Sequence, residues 1–172
     1  MAVTASYTVK IDATQTEENA FGNSRDDRLV RLSQSLSDGT NANQADLMYV
    51  AERTVADGAN DDIDLAGSLS DAFGATITAA EIVAIMVVNQ QQDGTANTTD
   101  LTIGGAANAF EGFLGGTSPT IGPIKPGGVF FIGAGDAAGI GAVSGGSSDE
   151  LRITNGSGAA NTYQIGILAR SA

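Results

Sequence analysis

The chain contains no cysteine, no histidine and no tryptophan among its 172 residues. Without cysteine and histidine it has no disulfide, no thiol nucleophile, no thiolate or imidazole metal site, and no Ser-His or Cys-His catalytic arrangement. The side chain that most often transfers protons near neutral pH is missing as well. Serine, lysine and carboxylates are the reactive groups that remain.

Positive charge is also scarce, since 8 Lys and Arg stand against 20 Asp and Glu, for a net charge of −12. An acidic surface repels phosphate backbones and anionic lipids, so we expect neither nucleic acid nor membrane as a partner. No apolar run approaches the roughly 18 residues of a membrane span. The opening M-A-V-T-A-S-Y lacks the basic and apolar regions of a secretory signal. These features predict a soluble protein made in a cytoplasm.

Glycine, in contrast, is abundant, with 23 residues, and the hydrophobic fraction of 42% is too high for a disordered chain. Short apolar runs separated by glycine are typical of short strands joined by tight turns. The length suits one domain with a real core.

Alternating apolar and polar residues predict the individual strands. Tyr7, Val9 and Ile11 share one face of a first strand, whereas the polar residues 13–26 are predicted to form a long loop. The segment 81–90 is apolar on both faces and predicts a central strand covered on both sides. Further strands are predicted near 30–36, 47–54, 101–103, 121–124, 129–132, 151–154 and 162–169.

This pattern predicts an all-β fold, an antiparallel β-sandwich of jelly-roll-like type with an N-terminal arm or added strand. An immunoglobulin-like sandwich is the alternative, weakened by the absence of Cys and Trp. The change from polar loop to strand pattern divides the chain into an arm, 1–26, and a single sandwich domain, 27–172.

A cluster of aspartates, Asp57, Asp61, Asp62 and Asp64, raises the question of a calcium site. Its spacing does not match an EF-hand loop, and no closing Glu follows. Asp and Asn also bond their own backbone in solvated turns, which is the preferred interpretation. We therefore expect no metal site.

In and just before the neighbouring S-L-S-D-A-F-G segment at 68–74, an apolar residue recurs at every fourth position: Leu65, Leu69 and Phe73. This spacing predicts a short helical turn packed on the core. Ser68 or Ser70 would cap it, and Gly74 would end it in the left-handed conformation.

Two further motifs suggest catalytic or cofactor sites. G-A-G-D-A-A at 133–138 matches a relaxed dinucleotide fingerprint, but the sequence after it is a poor helix. Paired carboxylates for glycoside hydrolysis are the other possibility. The six candidates are Glu17, Glu18, Glu52, Glu81, Glu111 and Glu150. Nothing in the sequence pairs two of them, so we expect no catalytic residue, no cofactor and no enzymatic activity.

Several segments, taken in order, resemble small virion structural proteins of tailed phages and prophages. They are S-D-G-T-N-A-N-Q-A-D-L at 37–47, D-I-D-L-A-G-S-L-S-D-A-F-G at 62–74, L-T-I-G-G-A at 101–106, P-G-G-V-F-F-I at 126–132 and S-S-D-E-L-R-I-T-N-G-S-G-A-A-N-T-Y-Q-I at 147–165. The resemblance covers roughly residues 27–169 and adds little for the first 26.

The resemblance implies a non-enzymatic component of the virion, most plausibly a capsid decoration (cement) protein on the outer surface of the head. Its partner would be the major capsid protein, and its location the virion exterior. A tail, neck or fibre-base protein is the alternative, and a carbohydrate-binding domain, disfavoured by the lack of Trp, is a third.

The N-terminal segment suggests how such a protein would bind. Tyr7, Val9 and Ile11 present one apolar face that can contact a neighbouring subunit, so they are the candidate partner-binding residues. Exposed strand edges and the symmetry of capsid surfaces favour self-association, with a homotrimer as the expected state.

Overall fold

The computed structural model describes residues 2–115 and 119–172, and in these residues it contains thirteen β-strands and no helix. All ladders between these strands are antiparallel. In chain order the strands are β1 (Ala5–Asn19), β2 (Gly22–Leu36), β3 (Leu47–Val55), β4 (Asn60–Asp64), β5 (Leu69–Ser70), β6 (Thr76–Ile77), β7 (Glu81–Val88), β8 (Leu101–Gly104), β9 (Thr120–Ile124), β10 (Val129–Gly133), β11 (Gly141–Ala142), β12 (Glu150–Asn155) and β13 (Asn161–Arg170).

Two sheets form the body of the molecule. One has the order β10-β7-β13-β3, with β11 also paired to β7, and the other has the order β4-β12-β8-β9. Their inward side chains share one core, which includes Ile85, Val87, Leu101, Ile103, Leu151, Ile153, Ile165 and Ile167. The predicted all-β antiparallel architecture is confirmed, and the shared core is consistent with a sandwich. The jelly-roll-like path of the chain stays a prediction.

Strand β7 lies between β10 and β13, so its predicted central position is confirmed. Its predicted cover on both faces is only partly right. Ile85 is buried in the core between the sheets and Val83 is buried on the opposite side, but Met86 is 44% exposed. The outer side of the strand is covered at Val83, where Leu36 of the N-terminal hairpin and Ala45 pack against it.

The prediction of a loop at 13–26 is wrong. Strands β1 and β2 pair without interruption from Ala5↔Leu36 to Asn19↔Gly22, and Ala20 and Phe21 form a two-residue turn. Gly22 has φ of +115°, a conformation that glycine adopts at low cost. The segment is polar because both of its faces meet solvent, and β2 continues across the 26/27 position.

The predicted helical turn at 65–74 is also wrong. Leu69 pairs with Ile77 in the short ladder of β5 and β6, and Phe73 is 80% exposed. The carboxylate of Asp71 accepts hydrogen bonds from the backbone N–H groups of Phe73 and Ala75, which satisfies a tight turn in place of a helix. Gly74 does have the expected left-handed backbone, with φ of +84°, but within this turn.

Candidate interaction surface

The most prominent feature is the projecting hairpin, which we define as β1, β2 and their turn, residues 5–36. Each strand has 15 residues and all side chains from Thr8 to Ser33 are exposed. At about 3.4 Å per residue the hairpin is about 50 Å long. Phe21 stands fully exposed at its tip. An isolated two-stranded hairpin is at best marginally stable in water, so its base must be held by the body.

A small second core holds that base. Leu36, Ala45 and Val83 are buried together, and Tyr7 and Leu168 pack on them. The backbone N–H of Val3 donates to Asp38 Oδ1 at 2.7 Å. The root of the hairpin is therefore part of the folded body.

Arg170, at the end of β13, makes further contacts beside the root of the hairpin. Its guanidinium is fully buried and donates to the carbonyl oxygens of Gln44, Asp136 and Ala137 at 2.7–3.0 Å. It also forms a salt bridge with Glu81 at 3.0 Å. Burial of an arginine is costly unless its N–H donors are hydrogen-bonded. Here those donors bind carbonyl groups in two loops, at residue 44 and at residues 136–137, and so hold both loops beside the hairpin root.

One face of the hairpin is apolar near its root. We define the hairpin face as Tyr7, Val9, Ile11, Val30 and Leu32. Val9 lies opposite Leu32 and Ile11 opposite Val30, so the four side chains form two cross-strand pairs. Ile11 is 66% exposed and Val30 71%. The reverse face carries hydrophilic pairs such as Thr8 and Ser33, whose hydroxyls lie 2.8 Å apart.

The body presents a second apolar surface on the side of the five-stranded sheet that faces away from the core. We define this outer face as Met48, Val50, Met86, Val88, Val129 and Phe131. Val50 and Val129 are 70% and 60% exposed. Sheet faces in contact with water normally carry polar side chains, and on this side of the sheet Glu52, Thr54 and Gln164 lie beside the apolar patch.

The hairpin face and the outer face meet at an open groove. The Tyr7 and Phe131 rings lie 5.0 Å apart between centroids, in a tilted contact. The groove is lined by Val9, Ile11, Val30 and Leu32 on the hairpin side, and by Phe131 to Gly133 on the body. Contiguous exposed apolar surface is a common feature of protein interaction sites, so this groove is the candidate surface.

Charge is unevenly divided between the hairpin and the body. The hairpin holds four of the eight cationic and five of the twenty acidic side chains, so its net charge is −1, whereas the rest of the chain carries −11. Three hairpin cations pair with hairpin aspartates: Lys10 with Asp12, Arg25 with Asp27 and Arg28 with Asp26. The fourth, Arg31, makes no salt bridge in the described part of the chain and lies opposite Lys10.

The predicted partner-binding residues Tyr7, Val9 and Ile11 do lie on one face. Tyr7 is half-buried against its own body, and burial raises the pKa of its hydroxyl. Val9 and Ile11 remain exposed. Sequence reasoning missed their cross-strand partners Val30 and Leu32, although both alternate with polar residues just as Tyr7, Val9 and Ile11 do.

The four aspartates of the cluster each bind a different group of the chain and do not converge on one point. Asp57 accepts from the N–H of Gly158, Asp62 pairs with Arg152, and Asp64 accepts from the N–H of Ala66. Within residues 2–115 and 119–172, no three Asp, Glu, His or Cys side chains are grouped as a metal site.

Asp61 is a partly buried member of the cluster and joins the two sheets. Its carboxylate accepts two hydrogen bonds from Arg53 at 2.6 Å and one from the Tyr163 hydroxyl at 2.7 Å. Burial acts to raise the pKa of Asp61, but the hydrogen bonds outweigh it and the net pKa lies below its ordinary value. Burial, together with the bond to Asp61, raises the pKa of Tyr163.

The glycine-rich motif at 133–138 and the candidate glutamates lie in separate parts of the fold. After β10 the segment 134–140 forms turns, and a helix that would receive a pyrophosphate does not follow in the described residues. Glu81 pairs with Arg170, Glu52 accepts from the N–H of Gln92, and Glu150 lies 3.4 Å from the N–H of Asn108. Glu17 and Glu18 lie near the hairpin tip, well apart from these three. In the part of the chain that the structure describes, no helix has the length and apolar character of a membrane span.

Comparison with protein-family models, with curated proteins and with solved structures gives no match to this chain.

Proposed function

We propose that this chain is a structural protein of a tailed-phage virion, a capsid decoration protein that binds the outside of the head and reinforces its subunit junctions. The observation that carries the proposal is the projecting hairpin: a rigidly rooted, largely solvent-exposed element with an unpaired apolar face. Such an element gains stability only against another molecule. The sequence resemblance to virion proteins supplies the class of assembly.

The charge of the chain supports a location outside the shell. A net charge of −12 repels packaged DNA, so an acidic chain suits the exterior surface better than the interior. The hairpin is the least acidic part of the molecule, and we assign to it the contact with the major capsid protein. Binding through buried surface, and not turnover, is the mechanism.

The proposal is tested on particles purified from the virus that encodes this chain. We expect the protein in high copy on the head, and particles without it should lose their DNA at a lower temperature. A few copies per particle would point to the neck or a fibre base, and absence from the particles would overturn the proposal.

A hairpin truncation tests how the protein binds. Replacing residues 12–29 with Asn-Gly keeps the root and supplies a two-residue turn that suits a hairpin. We expect this variant to fold, because the root contacts remain, and to occupy heads more weakly than the full chain. Unchanged occupancy would exclude the distal hairpin from the binding site. Deleting residues 1–12 is a poorer test, since it removes Val3 and Tyr7 from the root.

A further inference from the structure

Asn155, the last residue of β12, and Gly156 after it form the only Asn-Gly pair in the sequence. In an open chain such a pair is chemically labile. The Gly156 nitrogen, after giving its proton to a base, attacks the side-chain carbon Cγ of Asn155 and ammonia leaves. Water then opens the resulting cyclic imide to aspartate or isoaspartate. We infer that Asn155 is a gated deamidation site, which the fold holds unreactive and which reacts only when the end of β12 opens.

The side-chain amide of Asn155 is held at both of its polar atoms. The residue is 1% exposed. Its Nδ2 donates to the carbonyl oxygens of Val55, Ala56 and Ala159 at 2.8–3.3 Å. Its Oδ1 accepts from the Thr99 hydroxyl at 2.6 Å. To meet the next backbone nitrogen, the amide would have to give up these bonds and leave buried polar groups unsatisfied, which is costly.

The attacking nitrogen is held as well. The N–H of Gly156 donates to the carbonyl oxygen of Asp100 at 2.9 Å, and the N–H of Asn155 donates to that of Ala59 at 2.9 Å. Asn155 also lies opposite Leu101 in the ladder between β12 and β8. A hydrogen-bonded N–H gives up its proton less readily, so the nucleophile is blocked in the closed fold. Both reacting groups become free together only when this part of the sheet opens.

The reaction would prevent the opened strand end from closing again. An aspartate at position 155 has no side-chain N–H, so the carbonyl oxygens of Val55, Ala56 and Ala159 would lose their donor and face a carboxylate. Burial of a charge without a partner is costly. Deamidation would therefore convert a reversible local opening into a permanent one. This inference concerns the lifetime of the fold and is independent of the proposed function.

Glycine at position 156 speeds the chemistry but is not needed by the fold. Gly156 does not have a left-handed φ, and a Cβ added there meets Asp100 at 3.4 Å or more, which is an ordinary contact. A side chain at this position obstructs the attack on Asn155 in an open chain. The variant Gly156→Ala can therefore change the rate of the reaction without changing the structure.

The first test measures deamidation of Asn155 by peptide mapping and mass spectrometry at mildly alkaline pH. In the folded wild type we expect a rate at least about a hundredfold below that of the urea-unfolded chain, because only the open fraction reacts. Gly156→Ala should melt like the wild type and react more slowly in urea. A folded chain that reacts at Asn155 as fast as the unfolded chain overturns the inference, and so does an unfolded chain in which other asparagines react first.

The second test places the aspartate product in the fold. Asn155→Asp should lower the midpoint of thermal unfolding by at least about 8 °C, or prevent folding altogether. Asn60→Asp is the matched control, because Asn60 is exposed on the paired strand β4 and its Oδ1 accepts from the Thr154 hydroxyl, a bond that a carboxylate keeps. Its midpoint should move by less than about 2 °C. A variant Asn155→Asp as stable as Asn60→Asp would show that the opened strand end can close after the reaction, and would overturn the irreversible step.

Discussion

Replacing Asp61 with asparagine should remove a salt bridge that joins the two sheets. Asp61 lies on β4 of one sheet, whereas Arg53 and Tyr163 lie on β3 and β13 of the other. Asparagine keeps the size of the side chain but removes its charge. The substitution therefore leaves the Arg53 guanidinium partly buried without its anion, and the Tyr163 hydroxyl with a weaker acceptor.

The burial of the pair determines the size of the effect. Removing one partner of a fully buried ion pair costs about 3–5 kcal/mol. The Arg53 side chain keeps 29% exposure and that of Asp61 13%, so solvent screens part of the interaction. We therefore expect a loss of about 2–3 kcal/mol in the free energy of unfolding. For a domain of this length the midpoint of thermal unfolding should fall by about 4–12 °C.

Asp62→Asn is the matched control, measured by calorimetry and urea denaturation beside Asp61→Asn. Asp62 also pairs with an arginine across two strands, Arg152, but its side chain is 42% exposed. An exposed pair contributes less than about 1 kcal/mol. Equal losses from the two substitutions would refute the reasoning that burial decides the difference.

The pH dependence gives an independent check on the same network. The pKa of Asp61 is lower in the folded state than in the unfolded state. Its contribution to the free energy of unfolding is therefore complete above the unfolded pKa of about 3.9 and is lost as pH falls through the folded pKa. The difference in stability between the wild type and Asp61→Asn should therefore shrink in acid. A difference that stays constant down to pH values well below about 3.9 would contradict this assignment.

Other predictions concern the stability at alkaline pH, two turn glycines and the hairpin. The pKa of Tyr163 is raised in the folded state, so its contribution to the free energy of unfolding is complete below the unfolded pKa of about 10 and is lost as pH rises beyond that value. The substitution Tyr163→Phe should therefore make stability fall less steeply at alkaline pH. Gly139→Ala should destabilise the fold more than Gly58→Ala: both glycines have left-handed φ near +60°, but an added Cβ at 139 meets the Ile82 carbonyl oxygen at 2.3 Å and one at 58 meets open space. Similar unfolding midpoints for the two alanine variants would show that backbone strain alone matters. Limited proteolysis should cut the distal hairpin, near residues 14–27, before the body, since local opening is easiest where few side chains are buried; first cleavage within the sandwich would contradict this.

The sequence by itself determined the fold class and most of the body strands. Where one face of a strand is buried and the other meets solvent, selection of apolar residues leaves a period-2 pattern, and β13 with Tyr163, Ile165 and Ile167 is an example. Glycine, asparagine and aspartate at the turns add a second local signal. Both signals belong to short segments, so they can be detected without knowing the partner of each strand.

The same reasoning failed where neither face of a strand is buried. Residues 13–26 pair through their backbones along the hairpin, and backbone hydrogen bonds leave little trace in side-chain pattern. Polar composition then resembles a loop. The apolar stretch at Tyr7, Val9 and Ile11 was detectable, but its continuation onto Val30, Leu32 and the outer face depends on which surfaces the fold brings together.

Buried polar side chains were likewise decided by the tertiary structure alone. Arg170 is fully buried because carbonyl groups from residues 44, 136 and 137 converge on its guanidinium. Asn89 is buried because its amide donates to the carbonyl oxygens of Thr99 and Ile124. Partners so distant in sequence are not readable from local pattern, and without them burial of these groups would cost several kcal/mol. Composition predicts such residues at the surface, and only the assembled fold supplies the hydrogen bonds that place them inside.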